Sequence, residues 1–236
     1  TYKYFNIKNG IDVIPNFICI KDMEFSIDRT KYAKDDELIL CHVSNFRKVK
    51  RVQDVIKIFA KVREKINCKL ILVGDGPERD NMEILCRELG TCKNTSFIGT
   101  VNNTTEILSI ADLFILPSET ESFGLAALEA MAVGMPVISI ANQTSPIIDG
   151  TNGYISNDVE YLKRGVTTLL EDKNLAISLG QRARETVREK FSQTKFLKLW
   201  LKSIETVIID FLENSSKELP KENVLLKTEQ EDTSMP

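Results

Sequence analysis

The sequence is poor in the residues that mark metal, disulfide, nucleic-acid and membrane proteins. It has a single histidine, His42. With no second ligand spaced suitably nearby, His42 reads as a packed strand residue instead of a metal ligand. The five cysteines, Cys19, Cys41, Cys68, Cys86 and Cys92, are odd in number and form no C-x-x-C pair. They read as free, buried thiols in a reducing cytoplasm. The formal net charge is -3 and basic residues gather in only one short cluster, which gives no sign of a nucleic-acid surface. No uninterrupted apolar run is long enough to span a bilayer. The opening residues TYKYFNIKNG show neither a starting methionine nor a signal peptide, so the expectation is a piece of a longer protein.

What is present suits one large globular domain. The chain has 236 residues, 42% hydrophobic and 28% charged, enough for a core without disulfides or metals. From about residue 37, short apolar runs alternate with helical periodicity. Strands are expected at Leu38 to Val43, Leu70 to Val73, Ser96 to Ile98, Leu113 to Leu116 and Pro136 to Ile140. Between them, Val52, Val55, Ile56, Phe59, Val62 and Ile66 fall on one helical stripe, and Met82, Leu85, Cys86 and Leu89 on another that stops at Gly90. Short helices follow at Thr104 to Ile110 and Gly124 to Val133. This rhythm predicts an α/β fold, a doubly wound parallel sheet of Rossmann-like type.

The last third reads as three amphipathic helices, the third carrying Phe196, Trp200, Ile204, Val207, Ile208 and Phe211. From residue 213 to 236 the composition turns polar and aperiodic, which predicts a disordered tail. At the other end, Ile11 to Asn16 reads as a strand stopped by Pro15.

Ligands of doubly wound sheets sit beyond the carboxyl ends of the strands, and three loops there carry suggestive residues. In Ser44-Asn45-Phe46-Arg47-Lys48-Val49-Lys50-Arg51, four cations crowd a helix start that already bears partial positive charge; a bound anion removes that penalty. The turn Gly74-Asp75-Gly76-Pro77-Glu78 is a weaker signal, explained equally by tight-turn chemistry. The sharpest is Glu121-Ser122-Phe123-Gly124-Leu125-Ala126-Ala127-Leu128-Glu129. There Gly124 permits close backbone approach at a helix N-terminus. Glu121 and Glu129 lie roughly 7 Å or more apart along the axis, a spacing for gripping hydroxyls at two ends of an extended ligand. Glu129, among apolar neighbours, needs a hydrogen-bond donor.

That E-x7-E segment resembles the signature of the family 4 retaining glycosyltransferases. The turn Val73 to Pro77, the strand start Gly134-Met135-Pro136-Val137-Ile138 and the segment Ile14-Pro15-Asn16 are also similar to the family's motifs. The resemblance, over about residues 10 to 212, implies the GT-B architecture of two Rossmann-like domains facing across a cleft, this chain being the C-terminal half. Residues 1 to 17 are then the last strand and linker of a missing N-terminal acceptor domain. Residues 18 to 212 are the nucleotide-sugar domain with its C-terminal helices. The implied donor is a UDP-sugar, used as substrate, with no cofactor and no metal, in keeping with the absence of a D-x-D motif. By the same resemblance Arg47 and Lys50 neutralise the leaving diphosphate and Glu121 holds sugar hydroxyls. Amides near Phe123, Gly124 and Leu125 contact sugar and phosphate, Glu129 binds the ribose diol, and the backbone at Phe97, Ile98 and Gly99 reads uracil. Ser44, Asn45 and Gly74 complete the implied binding set. Ser44 to Asp54 and Leu116 to Ala132 are most similar to members that move N-acetylglucosamine (GlcNAc) to L-malate, so a small hydroxy acid or a glycan is the implied acceptor. The loop Ala141 to Ile147 departs from the family, which usually has a glycine pair and Pro-Glu there. The third C-terminal helix is expected to leave its apolar face partly exposed and to favour a homodimer.

Overall fold

The structure is a computed structural model that describes residues 11–19, 27–141 and 145–218, with side chains to residue 213. The opening ten residues, positions 142–144 of the divergent loop and the tail from 219 lie outside the described residues. The chain divides into a compact unit of residues 15–196 and a second unit containing the described residues 11–14 and 197–218.

The first unit is built on a six-stranded sheet. Its strands are β1 (Leu38–Val43), β2 (Cys68–Val73), β3 (Thr95–Gly99), β4 (Leu113–Leu116), β5 (Val137–Ser139) and β6 (Tyr154–Ile155). The order is β3-β2-β1-β4-β5-β6, and every pairing is parallel. The helices are α1 (Val52–Arg63), α2 (Arg79–Glu88), α3 (Thr104–Ser109), α4 (Leu125–Ala132), α5 (Val159–Glu171) and α6 (Lys173–Lys190). Strand alternation divides the core between the two faces. Leu40, Leu70, Leu72, Leu113 and Ile115 point to the face covered by α1, α2 and α5. Ile39, Cys41, Ile71, Val73, Phe114 and Leu116 point to the face covered by α3, α4 and α6. Burial on both faces explains why β1, β2 and β4 read as continuous apolar runs.

The chain winds outward from β1 through β2 to β3, then returns to lay β4 on the other side of β1. The loops leaving β1 and β4 therefore diverge at the switch point of the sheet, where a crevice opens at the carboxyl edge. This topology brings the cation-rich loop beside the Glu121 loop, 71 positions away in sequence.

Three expectations need correction, and one strand was missed. Residues 11–16 form no strand; a strand requires a ladder partner, and the nearest bridge lies beyond the segment, an isolated one from Ile18 to Ser192. β6 went unpredicted because two residues show no periodicity. Cys41, Cys68 and Cys86 are buried, but Cys19 and Cys92 are exposed; all five are free. The helix α7 (Gln193–Glu218) runs beyond the predicted start of the tail. Its Ile204, Val207, Ile208 and Phe211 are exposed. No described helix is long and apolar enough to cross a membrane.

Candidate functional site

A cavity of about 520 Å³ lies at the carboxyl edge. One wall is the end of β1 and the loop after it: Val43, Ser44, Asn45 and Lys50. A second is the turn after β2 with Val73, Gly74 and Asp75. Beyond β3 come Thr100, Val101 and Thr104, and the fourth wall runs from Glu121 to Ala126 and ends at Glu129.

Each wall has a local cause. Gly74 has φ of +120°, and a Cβ there would stand 1.8 Å from the Ser44 carbonyl oxygen. Only glycine lets the two loops approach so closely. They are then tied together: the Phe46 amide donates to the Asp75 carbonyl at 2.8 Å and the Glu78 amide to the Phe46 carbonyl at 2.9 Å. The Glu119 amide donates to the Val49 carbonyl at 2.9 Å, which joins the β4 loop to the same assembly. Gly124 is the N-cap of α4, with φ of 77°, and no side chain caps the helix. The first amides of α4 thus keep their donors for whatever enters the cavity.

The charged groups are only partly accessible. Lys50 Nζ donates to Glu121 Oε1 at 2.6 Å, with side-chain exposures of 19% and 11%. Arg51, left-handed at φ of 51°, starts α1 and pairs with Asp54 at 2.6 Å. Among the described residues Arg47 and Lys48 form no ion pair, so the cluster retains two uncompensated cations. Glu129 Oε2 accepts from Thr104 Oγ1 at 2.7 Å, which supplies one of the donors its apolar setting requires.

Beneath the floor, His42 is fully buried. Its Nδ1 lies 2.7 Å from the Ile115 carbonyl oxygen and its Nε2 lies 2.7 Å from Ser44 Oγ. Burial pushes its pKa down to about 4; the Ile115 carbonyl opposes this, Lys50 adds to the depression and Glu121 counters it. The ring is therefore neutral near pH 7.

The cavity gathers Glu121, Lys50, Ser44, Asn45, Gly74, Phe123, Gly124, Leu125 and Glu129. It does not gather the rest of the predicted set. Arg47 is exposed on the same loop and off the cavity wall. Phe97, Ile98 and Gly99 are also off the wall. A register shift between Leu72 and Val73 bends this edge, the Gly99 carbonyl accepts from the Gly74 amide at 2.8 Å, and Phe97 packs edge-on to Phe46. Thr100 and Val101 take the place on the wall expected for that strand. Sequence reasoning missed Thr104 and the link from His42 to Ser44. Asn103, whose side chain accepts from the Thr105 amide, was a legible helix cap, but the approach of the next residue, Thr104, to Glu129 was not. Among the described residues no cluster of three or more His, Cys, Asp or Glu side chains could hold a metal ion.

Residues 24–186 match the family model described as glycosyl transferases group 1. The chain is 38% identical to the N-acetyl-alpha-D-glucosaminyl L-malate synthase of Bacillus anthracis over 90% of its own length and 57% of that protein. It is 30% identical to the lipopolysaccharide core biosynthesis glycosyltransferase LpsE of Rhizobium meliloti over 79% of this chain and 55% of that one. The chain thus spans about half the length of these curated relatives. Among solved structures, the S. aureus TarM mutant in complex with fondaparinux, alpha-GlcNAc-glycerol and UDP superposes with a TM-score of 0.73 at 25% identity, covering 85% of this chain and 40% of that one. Sucrose-phosphate synthase of Thermosynechococcus elongatus gives 0.76 at 25% identity, with 89% and 56% covered.

Proposed function

The chain belongs to the group 1 glycosyl transferases, and from that membership we propose that it is the donor-binding half of a retaining, UDP-sugar-dependent transferase. The observation that carries this reading is the joint lining of one crevice by Lys50, Glu121, Glu129 and the uncapped start of α4.

A sugar diphosphate meets each need of that crevice. The α4 amides and the Lys50 ammonium face its phosphates, with Arg47 adding charge from the rim. As the bond from the anomeric carbon to the diphosphate breaks and an acceptor hydroxyl oxygen bonds to that carbon, giving up its proton to the leaving phosphate or to water, negative charge gathers on the leaving phosphate. Fixed donors and cations there stabilise the transition state more than the ground state. Glu121, released from Lys50 by the competing phosphate, accepts from sugar hydroxyls. Glu129, steadied by Thr104, accepts from ribose hydroxyls. Side-chain cations provide the counter-charge, and the reading asks no cofactor of the site. The base lies against Thr100 and Val101, beyond Phe97 to Gly99.

GlcNAc is the proposed sugar and the hydroxyl of L-malate the proposed acceptor, supported by the 38% identity to the malate synthase. A preceding domain supplies the acceptor site, and the reaction belongs in the cytoplasm, in keeping with five free thiols. A second reading is favoured by the share of the relatives that the chain spans: as given, it is a donor-binding module without turnover. Titration calorimetry with UDP and UDP-GlcNAc, followed by a transfer assay with the preceding domain restored, tests both. Binding by the chain and transfer only after restoration are expected. Absence of binding at millimolar UDP rejects both readings, and transfer to polysaccharide or lipid acceptors but not malate rejects the proposed acceptor.

A further inference from the structure

The chain's single histidine reaches the cavity through another residue. His42 sits in β1, fully buried, with its ring stacked at 11° against Phe114 of β4 at 6.4 Å between centroids. Its two nitrogens have different partners, and the partners are not equivalent. A backbone carbonyl can only accept a hydrogen bond, so at 2.7 Å from Ile115 O the Nδ1 atom must carry the proton. A neutral ring then has a bare Nε2, and the contact of 2.7 Å to Ser44 Oγ is made by the serine hydroxyl donating to the ring. With its one proton committed below the cavity floor, Ser44 Oγ shows only lone pairs to the cavity that it lines.

We propose that His42 is a positioning residue that holds the Ser44 hydroxyl as a hydrogen-bond acceptor, so that the Ser44 position takes a hydroxyl or N–H of the ligand and excludes a phosphate oxygen. Two acceptors facing one another repel, whereas a sugar or ribose hydroxyl completes the chain from Ile115 through His42 and Ser44 to the ligand. The arrangement divides the work inside the crevice. Cations and α4 amides select phosphate, and Ser44, with Glu129 and Glu121, selects hydroxyl-bearing groups interspersed among them. The charged groups that His42 feels are Lys50 and Glu121, whose mutual ion pair leaves them opposed in effect. The ligand half of this inference rests on the proposed donor site; the state of the ring does not.

Two measurements on the 236-residue chain test it. The first is a two-bond 1H–15N correlation spectrum of the labelled free protein at neutral pH, in which the lone histidine needs no assignment by mutation. The expected result is a protonated Nδ1 and a bare Nε2. A protonated Nε2, or an imidazolium, overturns the inference. The second is the affinity for UDP-GlcNAc and for inorganic pyrophosphate, which offers phosphate acceptors without a sugar. Ser44→Ala and His42→Leu are expected to weaken UDP-GlcNAc about fivefold to tenfold and to leave pyrophosphate within about twofold. His42→Gln, which offers Ile115 an N–H and Ser44 an acceptor, is expected to restore most of the loss. A Ser44→Ala variant that weakens both ligands equally, or neither, overturns the inference. If His42→Leu fails to fold, the spectrum and Ser44→Ala still decide. If the unaltered chain binds neither ligand, the donor site falls and takes the ligand half with it, while the spectrum still judges the ring.

Discussion

The two edges of one sheet carry two hollows, and the larger one is the less promising. The cavity at the amino edge measures about 680 Å³ and the one at the carboxyl edge about 520 Å³. Around the amino edge α3, α4 and α5 end, through Ser109, Gly134 and Leu170, their C-termini carrying partial negative charge, and α6 begins at Lys173, its start capped by the Asp172 side chain. Two of this hollow's charged groups, Arg29 and Asp112, are engaged in structure. Arg29 donates to Asp112 at 3.1 Å and to the carbonyls of Ile110, Lys34 and Glu37. Asp112 also accepts from the Ile39 amide at 2.7 Å. At the carboxyl edge α4 begins with no capping side chain, and the adjoining loop carries Arg47 and Lys48, which form no ion pair among the described residues. Volume therefore misleads here, because the smaller hollow is the one with an uncapped helix start in its wall and unpaired cations on the loop beside it. The lesson is that a binding site is marked by what the fold leaves unsatisfied.

That contrast can be broken by mutation. The largest effect is expected from Lys50→Ala at the carboxyl edge: with the preceding domain restored, transfer should fall about 10²- to 10³-fold in steady-state kinetics. Arg29→Ala should leave transfer within about twofold of the unaltered protein. Equal losses from both substitutions would erase the distinction between the edges.

Next in size is a dependence of stability on pH that belongs to His42. Its folded pKa of about 4 lies below the unfolded value of 6.5. Between those values the unfolded chain takes up a proton that the folded chain does not. The stabilisation is thus complete above pH 6.5 and is lost as pH falls toward 4, by about 3 kcal/mol. Urea denaturation of the unaltered chain at pH 7 and pH 4.5 should show most of this loss, and His42→Gln should show less. Arg29→Ala should retain the slope, while lowering stability at both pH values by about 1–3 kcal/mol through the orphaned Asp112 and carbonyls.

Smaller again, Thr104→Val should weaken UDP-GlcNAc about fivefold by leaving Glu129 without its hydroxyl donor; calorimetry measures it. The mildest expectation concerns α7, whose exposed Ile204, Val207, Ile208 and Phe211 should drive concentration-dependent self-association of this chain. A constant monomer mass in sedimentation equilibrium would remove that expectation.

The legible parts of the fold were those whose cause is local. β1 and β4 could be bounded to the residue because strands buried on both faces are apolar throughout, and the α1 stripe was read from its period. The Glu121 to Glu129 segment announced itself by residue type at a loop-to-helix junction. The contacts that complete the site depend on strand order, which no local pattern states. Lys50 meets Glu121 because β4 returns beside β1, and Thr104 meets Glu129 because α3 and α4 cover the same face of the sheet. Phe97 to Gly99 lie off the cavity wall, on a strand whose register with β2 shifts between Leu72 and Val73. His42 was read correctly as packed, but its second partner faces a cavity that sequence alone does not reveal.

The most direct test is a crystal structure of the chain grown with UDP-GlcNAc. The account predicts the nucleotide sugar at the carboxyl edge, with its diphosphate bonded to Lys50 and the first amides of α4, and its ribose hydroxyls on Glu129. Ligand density in the amino-edge hollow, or at the carboxyl edge with the diphosphate turned away from Lys50 and α4, would contradict it.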